Sequence, residues 1–127
     1  MTFWFDSYKC FFDQAAQALA RMELPDYSAY KANDLLADLA CEICQEVCMR
    51  ECSKDQREWL EWLEWFQGKI SEYSGSTVEL VPARFYTGIR GLNVSFFLRR
   101  GDGEERRLAM GDGFPLFMWV DFQQKRN

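Results

Sequence analysis

The chain has 127 residues, of which 48% are hydrophobic and 17% aromatic, and its net charge is −5. This length fits one domain, residues 1–127, and the composition excludes intrinsic disorder. No apolar run approaches the roughly 18 residues of a membrane-spanning helix, and charged residues interrupt the N-terminal region where a signal peptide would be apolar. We therefore expect a cytoplasmic protein without membrane contact, in which the five cysteines are free thiols.

The charge divides unequally along the chain. Residues 1–76 contain 7 Lys and Arg against 14 Asp and Glu, a net charge of −7. Residues 77–127 contain 8 against 6, a net charge of +2. The acidic first part argues against direct binding of nucleic acid, which favours a basic domain, and for attraction to a protein partner with a basic surface.

Helical periodicity predicts two helices in the first half of the chain. The first is expected over residues 3–23, and it ends before Pro25 because the residue preceding a proline disfavours helical dihedral angles. The second is expected to begin after an N-cap at Asp26 or Ser28 and to run to about Cys52.

A third helix follows directly. Ser53 and Gln56 have the spacing of a capping box, which predicts the helix start. The apolar periodicity continues to about Tyr73, where Ser74-Gly75-Ser76 stops it. Residues 1–76 thus form the helical half of the expected fold.

Beyond residue 76 the pattern changes to the two-residue alternation of half-buried strands. The four expected strands lie at about Thr77–Tyr86, Leu92–Arg99, Glu105–Met110 and Phe114–Phe122. Residues 101–103 and 111–113 supply turns, and Pro82 marks the first strand as a sheet edge. The last segment has an alternative, a closing helix with Pro115 at its first position and Asp112 as its cap, although its Phe, Trp and Val content favours a strand. The expected fold is α+β, with three N-terminal helices packed on a three- or four-stranded antiparallel meander.

Recognisable catalytic motifs are absent from the sequence. There is no histidine, no Gly-x-Ser-x-Gly elbow and no Gly-Lys-Ser/Thr phosphate loop. The commonest general base and the usual hydrolytic sites are thereby removed. We expect a protein that is not an enzyme and that uses no cofactor.

Four cysteines recur along the second predicted helix, at Cys41, Cys44, Cys48 and Cys52. The first and last are about 16 Å apart along a helix, too far for four thiolates to hold one ion. The favoured interpretation is core packing, in which small thiols form a flank beside the aliphatic stripe. The alternative is a metal-binding or redox-sensing site at Cys41, Cys44 and Cys48, completed by a ligand such as Cys10.

Carboxylates recur every four residues on the opposite side of this helix, at Asp34, Asp38, Glu42 and Glu46. Such a ladder either is a solvated face or imitates a phosphate backbone for a basic groove. On the third helix, Trp65 projects among Glu58 and Glu61, away from the core face. It is either half-covered by the sheet or exposed as the hydrophobic anchor of an interface.

Two arginine pairs flank the expected hairpin turn, at Arg99-Arg100 and Arg106-Arg107. Arginine beside aromatic residues can bind single-stranded nucleic acid. Because Glu104 and Glu105 lie in the same hairpin, cross-strand ion pairs are the favoured explanation.

The leading functional expectation is a non-catalytic protein-binding module. Small size, acidity and missing catalytic groups are typical of acidic inhibitors that occlude a basic surface of a nucleic-acid-handling target, as anti-defence, anti-CRISPR-like or immunity proteins do; this is an analogy. Partner contacts are expected from Asp34, Asp38, Glu42 and Glu46, with Trp65 as anchor. The alternatives are the cysteine site and a small ligand-binding homo-oligomer, since exposed aromatic residues can also serve self-association.

Overall fold

A computed structural model of the protein describes residues 3–25, 35–83, 93–101, 103–111 and 116–120. Within these ranges the helices precede an antiparallel sheet, which confirms the expected α+β fold. The helices are a 3-10 helix over Trp4–Tyr8, α1 over Lys9–Leu19, α2 over Leu35–Glu51 and α3 over Arg57–Ser74. The strands are β1 over Val78–Ala83, β2 over Asn93–Arg100, β3 over Glu105–Gly111 and β4 over Leu116–Val120.

The first helix differs from its predicted range at both ends. It opens as a 3-10 helix in which Asp6 Oδ2 accepts a 2.9 Å hydrogen bond from the Phe3 amide. It ends in a Schellman arrangement, because the Met22 amide bonds to the Leu19 carbonyl and the Glu23 amide to the Ala18 carbonyl. Met22 has a left-handed φ of 58°, so this local cap stops the helix several residues before the proline does.

Helix α3 has the predicted end and a different start. Gln56 is the N-cap without a side-chain cap hydrogen bond, so the predicted capping box is wrong. Instead, Asp55 Oδ1 accepts a 3.1 Å hydrogen bond from the Arg57 amide. At the C-terminus Gly75 has a φ of 75°, a conformation that glycine adopts without a Cβ penalty, as the Ser-Gly-Ser stop predicts.

The strands are neighbours in chain order, β1-β2-β3-β4, and every pair is antiparallel. The last segment is therefore a strand rather than a helix, and Pro82 lies in an edge strand, as predicted. The predicted caps of the second helix at Asp26 and Ser28 lie outside the described residues. The same is true of residues 84–86 at the end of the predicted first strand and of residues 112–113 of the second predicted turn.

Helices α2 and α3 pack on the sheet, and α1 packs on α3. Helix α2 lies against β2, β3 and β4, and α3 lies against β1. The centre of the core is aromatic: the ring of Trp62 lies 5.4 Å from that of Phe12, 5.3 Å from that of Phe66 and 6.1 Å from that of Phe96. This packing fixes which sides of α2 and α3 face away from the sheet.

Candidate protein-binding surface

Helix α2 has sharply different sides. Among residues 38–51, the buried side chains share one arc that faces the sheet and α3, and they are Ala40, Ile43, Cys44, Val47 and Cys48. The exposed side chains of the same residues lie opposite, and they are Asp38, Glu42, Gln45 and Met49. One core cluster contains the buried thiols Cys44 and Cys48 together with the aliphatic residues.

The carboxylates of α2 do not form a straight ladder. Because an α-helix turns about 100° per residue, each step of four residues overshoots a full turn by about 40°. Asp38 and Glu42 consequently face solvent. Glu46 has rotated towards residues 3–12, which we call the N-terminal segment, and retains 33% side-chain exposure. Asp34, the first member of the predicted ladder, lies outside the described residues.

Glu42 is held from the side by the 3-10 helix. The Tyr8 hydroxyl donates a hydrogen bond to Glu42 Oε2 over 2.7 Å. Burial, followed by this hydrogen bond to a carboxylate, raises the pKa of Tyr8 to about 12. Tyr8 therefore remains a protonated donor at neutral pH and fixes the position of the Glu42 carboxylate.

Arg50 connects the carboxylates of α2 to those of α3. Its guanidinium forms ion pairs with Glu46 and, over 3.3 Å, with Glu58. The same guanidinium lies 4.3 Å from the ring centroid of Trp4, a cation–π contact, and Trp4 Nε1 points at the Glu58 carbonyl over 3.5 Å. We call Asp38, Glu42, Glu46, Glu58 and Glu61 the acidic surface.

An open cleft borders the acidic surface between the 3-10 helix and the start of α3. Its volume is about 550 Å³, and its lining residues are Phe3, Trp4, Ser53, Asp55, Arg57, Glu58 and Glu61. The acidic surface and Asp55 supply six carboxylates, against Arg50, Arg57 and the exposed Lys54 of the α2–α3 turn. An aromatic wall beside excess carboxylates suits a cationic group, above all a guanidinium.

Trp65 lies one helical turn beyond this cleft, on the same stripe of α3 as Glu58 and Glu61. It is half-buried, with its ring 5.1 Å from that of Phe5 and 6.3 Å from that of Phe12. Lys9 Nζ lies 5.5 Å from its centroid. The N-terminal segment therefore supplies these contacts, and the role of Trp65 as an interface anchor stays a prediction.

The cysteines divide by position. Cys44 and Cys48 are buried with their Sγ atoms 3.9 Å apart, which confirms core packing for this pair. Cys41 is half-buried, whereas Cys52 is exposed, and its predicted core position is wrong because α2 has already ended at Glu51. Within the ranges that the structure describes, no group of three or more His, Cys, Asp and Glu residues is placed to hold a metal ion.

The basic hairpin is largely occupied by its own contacts. Arg99 pairs with Glu105 on the neighbouring strand, which confirms the predicted cross-strand ion pair. The Arg106 guanidinium lies 4.2 Å from the ring centroid of Trp119, and that of Arg107 lies 5.3 Å from the centroid of Phe97. The sequence analysis did not predict these stacks, although the alternation of side chains along the strands places each arginine on the same sheet face as its aromatic partner.

The contribution of the N-terminal segment to the surface was also missed. Nothing in the sequence connects Trp4 to Arg50 or Tyr8 to Glu42, since each pair joins separate helices. The i,i+4 spacing of Glu46 and Arg50 does predict the ion pair between these two residues.

In the part of the chain that the structure describes, no helix combines the length and the apolar character needed to cross a membrane. Comparison of the chain with protein-family models, with curated proteins and with solved structures gives no match. Its function is therefore inferred from the geometry and charge of its own surface.

Proposed function

We propose that the protein is a non-catalytic protein-binding module that places its acidic surface on a basic surface of a nucleic-acid-handling protein and thereby inhibits it. The observation that carries this proposal is the continuity of the carboxylates across two helices. Arg50 joins Glu46 of α2 to Glu58 of α3, so the carboxylates of α2 continue into those of α3 beside the cleft.

Fixed carboxylates favour binding over mere solvation. Two members of the acidic surface are held before any partner arrives, Glu42 by Tyr8 and Glu46 by Arg50. Side chains that are already ordered lose less conformational entropy in a complex, so more of the interaction energy contributes to affinity. Crowding like charges on one surface is unfavourable for the free protein, and a cationic partner relieves it.

The chemistry of the partner follows from the arrangement around Arg50. This side chain, stacked on Trp4 and paired with Glu46 and Glu58, shows how the surface accommodates a guanidinium. A partner arginine or lysine would enter the adjacent cleft beside Glu58 and Glu61, with Trp65 at the margin of the interface. A groove that normally binds nucleic-acid phosphates offers such side chains, and we propose that the encounter takes place in the cytoplasm.

The test begins with a pull-down from host extract and mass spectrometry of the captured protein. Affinity for that protein is then measured at low and high salt for the wild type and for the double variant Asp38→Lys/Glu42→Lys. We expect the variant to bind about tenfold or more weakly and to show a flatter salt dependence. A matched control, Glu64→Lys/Glu104→Lys, makes the same change in net charge outside the acidic surface and should retain most of the affinity.

Two results would contradict the proposal. Equal affinity of the wild type and Asp38→Lys/Glu42→Lys at both salt concentrations rules out the acidic surface as the binding site. A captured partner that lacks a basic surface, or whose nucleic-acid binding continues unchanged in the complex, rules out inhibition by occlusion.

A further inference from the structure

Within the described residues, the two edge strands of the sheet differ in the charged residues and prolines that protect them. An edge strand presents unpaired backbone groups, and proteins usually guard it with charged residues or proline. Edge strand β1 contains exposed Glu79 and exposed Pro82, which has no amide hydrogen to donate. Edge strand β4 reads Leu-Phe-Met-Trp-Val and contains neither a charge nor a proline.

The described side chains of β4 lie above and below the sheet, so they do not obstruct pairing at its outer edge. Phe117 is buried in the core, and Trp119 is half-buried beneath Arg106. Met118, on the other face of the sheet, is 38% exposed. One edge of the strand is paired with β3, and no strand within the described ranges is paired with the other.

We propose that β4 pairs antiparallel with β4 of a second copy of this chain, across a two-fold axis, to form one continuous sheet of eight strands. For both cores to lie on the same side of that sheet, residues facing each other must point to the same face. The register that pairs all five residues is centred on Met118, which faces its own counterpart. Phe117 then faces Trp119 of the second copy, and Leu116 faces Val120.

A second copy is a better occupant of this edge than an unrelated strand. A two-fold contact must be self-complementary, and every pair in this register joins two apolar residues. Aromatic pairs such as Phe117 with Trp119 are favourable across strands. Pairing with the β1 edge would instead meet Pro82, which cannot donate to the ladder, and Glu79. The chemistry of the two edges thus selects a closed dimer over an open chain of copies.

Salt distinguishes this dimer from the proposed partner complex. Each copy carries a net charge of −5, so two copies repel each other and screening favours their association. The affinity for a basic partner should instead fall as salt is added, because screening weakens attraction between unlike charges. The dimer is independent of the proposed function, and either can fail without the other.

The test is sedimentation equilibrium of the wild type from micromolar to millimolar concentration at two salt concentrations. We expect a monomer–dimer equilibrium that shifts towards dimer as salt is added. The variants Met118→Lys and Met118→Glu place like charges opposite each other on the axis, and each should weaken association about tenfold or more. An equimolar mixture of the two variants should recover the dimer, because lysine then faces glutamate.

The control is Glu79→Lys on the other edge strand, which should dimerise as the wild type does. A wild type that stays monomeric throughout overturns the proposal. So does a dimer that persists unchanged in both Met118 variants, or a mixture of the two that shows no more dimer than either alone.

Discussion

The hydroxyl of Tyr8 and the carboxylate of Glu42 meet over 2.7 Å, and this contact fastens the 3-10 helix to the solvent-facing side of α2. Trp4 makes a second attachment under Arg50. The N-terminal segment is therefore a wall of the acidic surface as well as a cover for the core. Changes in this segment should alter stability and surface together.

The Tyr8 contact predicts a loss of stability at alkaline pH. The pKa of Tyr8 rises from its ordinary 10.0 to about 12 in the folded protein, so the folded state keeps a proton that the unfolded chain releases. The stabilisation is complete below the ordinary pKa and disappears as pH rises towards 12. We expect the free energy of unfolding, measured in urea, to decrease as pH rises through this range. The decrease should be smaller for Tyr8→Phe than for the wild type.

Tyr73 provides the comparison for Tyr8. Its hydroxyl donates to Asp13 over 2.6 Å, and this hydrogen bond raises the pKa of Tyr73 as well. Tyr73→Phe should therefore remove a separate share of the alkaline loss of stability. Tyr8→Phe should cost about 1 kcal/mol at neutral pH. An alkaline profile of Tyr8→Phe identical to that of the wild type would contradict the role assigned to the Tyr8–Glu42 contact.

Trp65 and Leu60 are apolar residues of α3 that should contribute very differently to stability. Trp65 packs against Phe5 and Phe12, whereas Leu60 is 56% exposed. We expect Trp65→Ala to lower the free energy of unfolding by about 2–3 kcal/mol, less than for a fully buried tryptophan. Leu60→Ala should change it by no more than about 0.5 kcal/mol. Equal costs in urea denaturation would show that the N-terminal contacts of Trp65 contribute little.

The thiols should react in two groups. Exposed Cys10 and Cys52 are expected to react rapidly with a thiol reagent in the native protein, and buried Cys44 and Cys48 only after unfolding. Cys44→Ser should destabilise the protein by about 1–3 kcal/mol because it places a hydroxyl in the core, whereas Cys52→Ser should be neutral. Rapid labelling of four or more thiols in the native state would contradict this packing.

Gly68 within α3 and Gly75 at its C-terminal cap predict opposite effects of substitution by alanine. Gly68 lies exposed within the helix with no atom near the position of an added Cβ, so Gly68→Ala should stabilise the protein by about 0.5–1 kcal/mol. Gly75 has a φ of 75°, and Gly75→Ala should destabilise it by about 1–2 kcal/mol. The test is the thermal unfolding temperature of each variant relative to the wild type. Equal shifts of this temperature in the same direction would contradict the prediction.

The fold was predictable because periodicity reports which faces are buried. The change from a helical to an alternating pattern located the transition between α3 and β1, and alternation located β2 to within one residue. The errors were at helix ends. The cap at Met22 and the hydrogen bond from Arg57 to Asp55 depend on single dihedral angles and short contacts, which no apolar pattern encodes.

The candidate surface was predictable only in part. The exposure of Asp38 and Glu42 follows from their place opposite the apolar stripe of α2. The rotation of Glu46 away from them follows from helical geometry and could have been foreseen. The contacts of Trp4 and Tyr8 with α2 could not, because they depend on how separate helices pack.

The aromatic core has a consequence for optical spectroscopy. Trp59 lies 5.5 Å from Trp62, which lies 6.5 Å from Trp4, and Phe66 separates Trp62 from Trp65. Excitation absorbed by one of these indoles can migrate to the others, so four of the five tryptophans emit as a group. Intrinsic fluorescence will therefore report the separation of the 3-10 helix from α3.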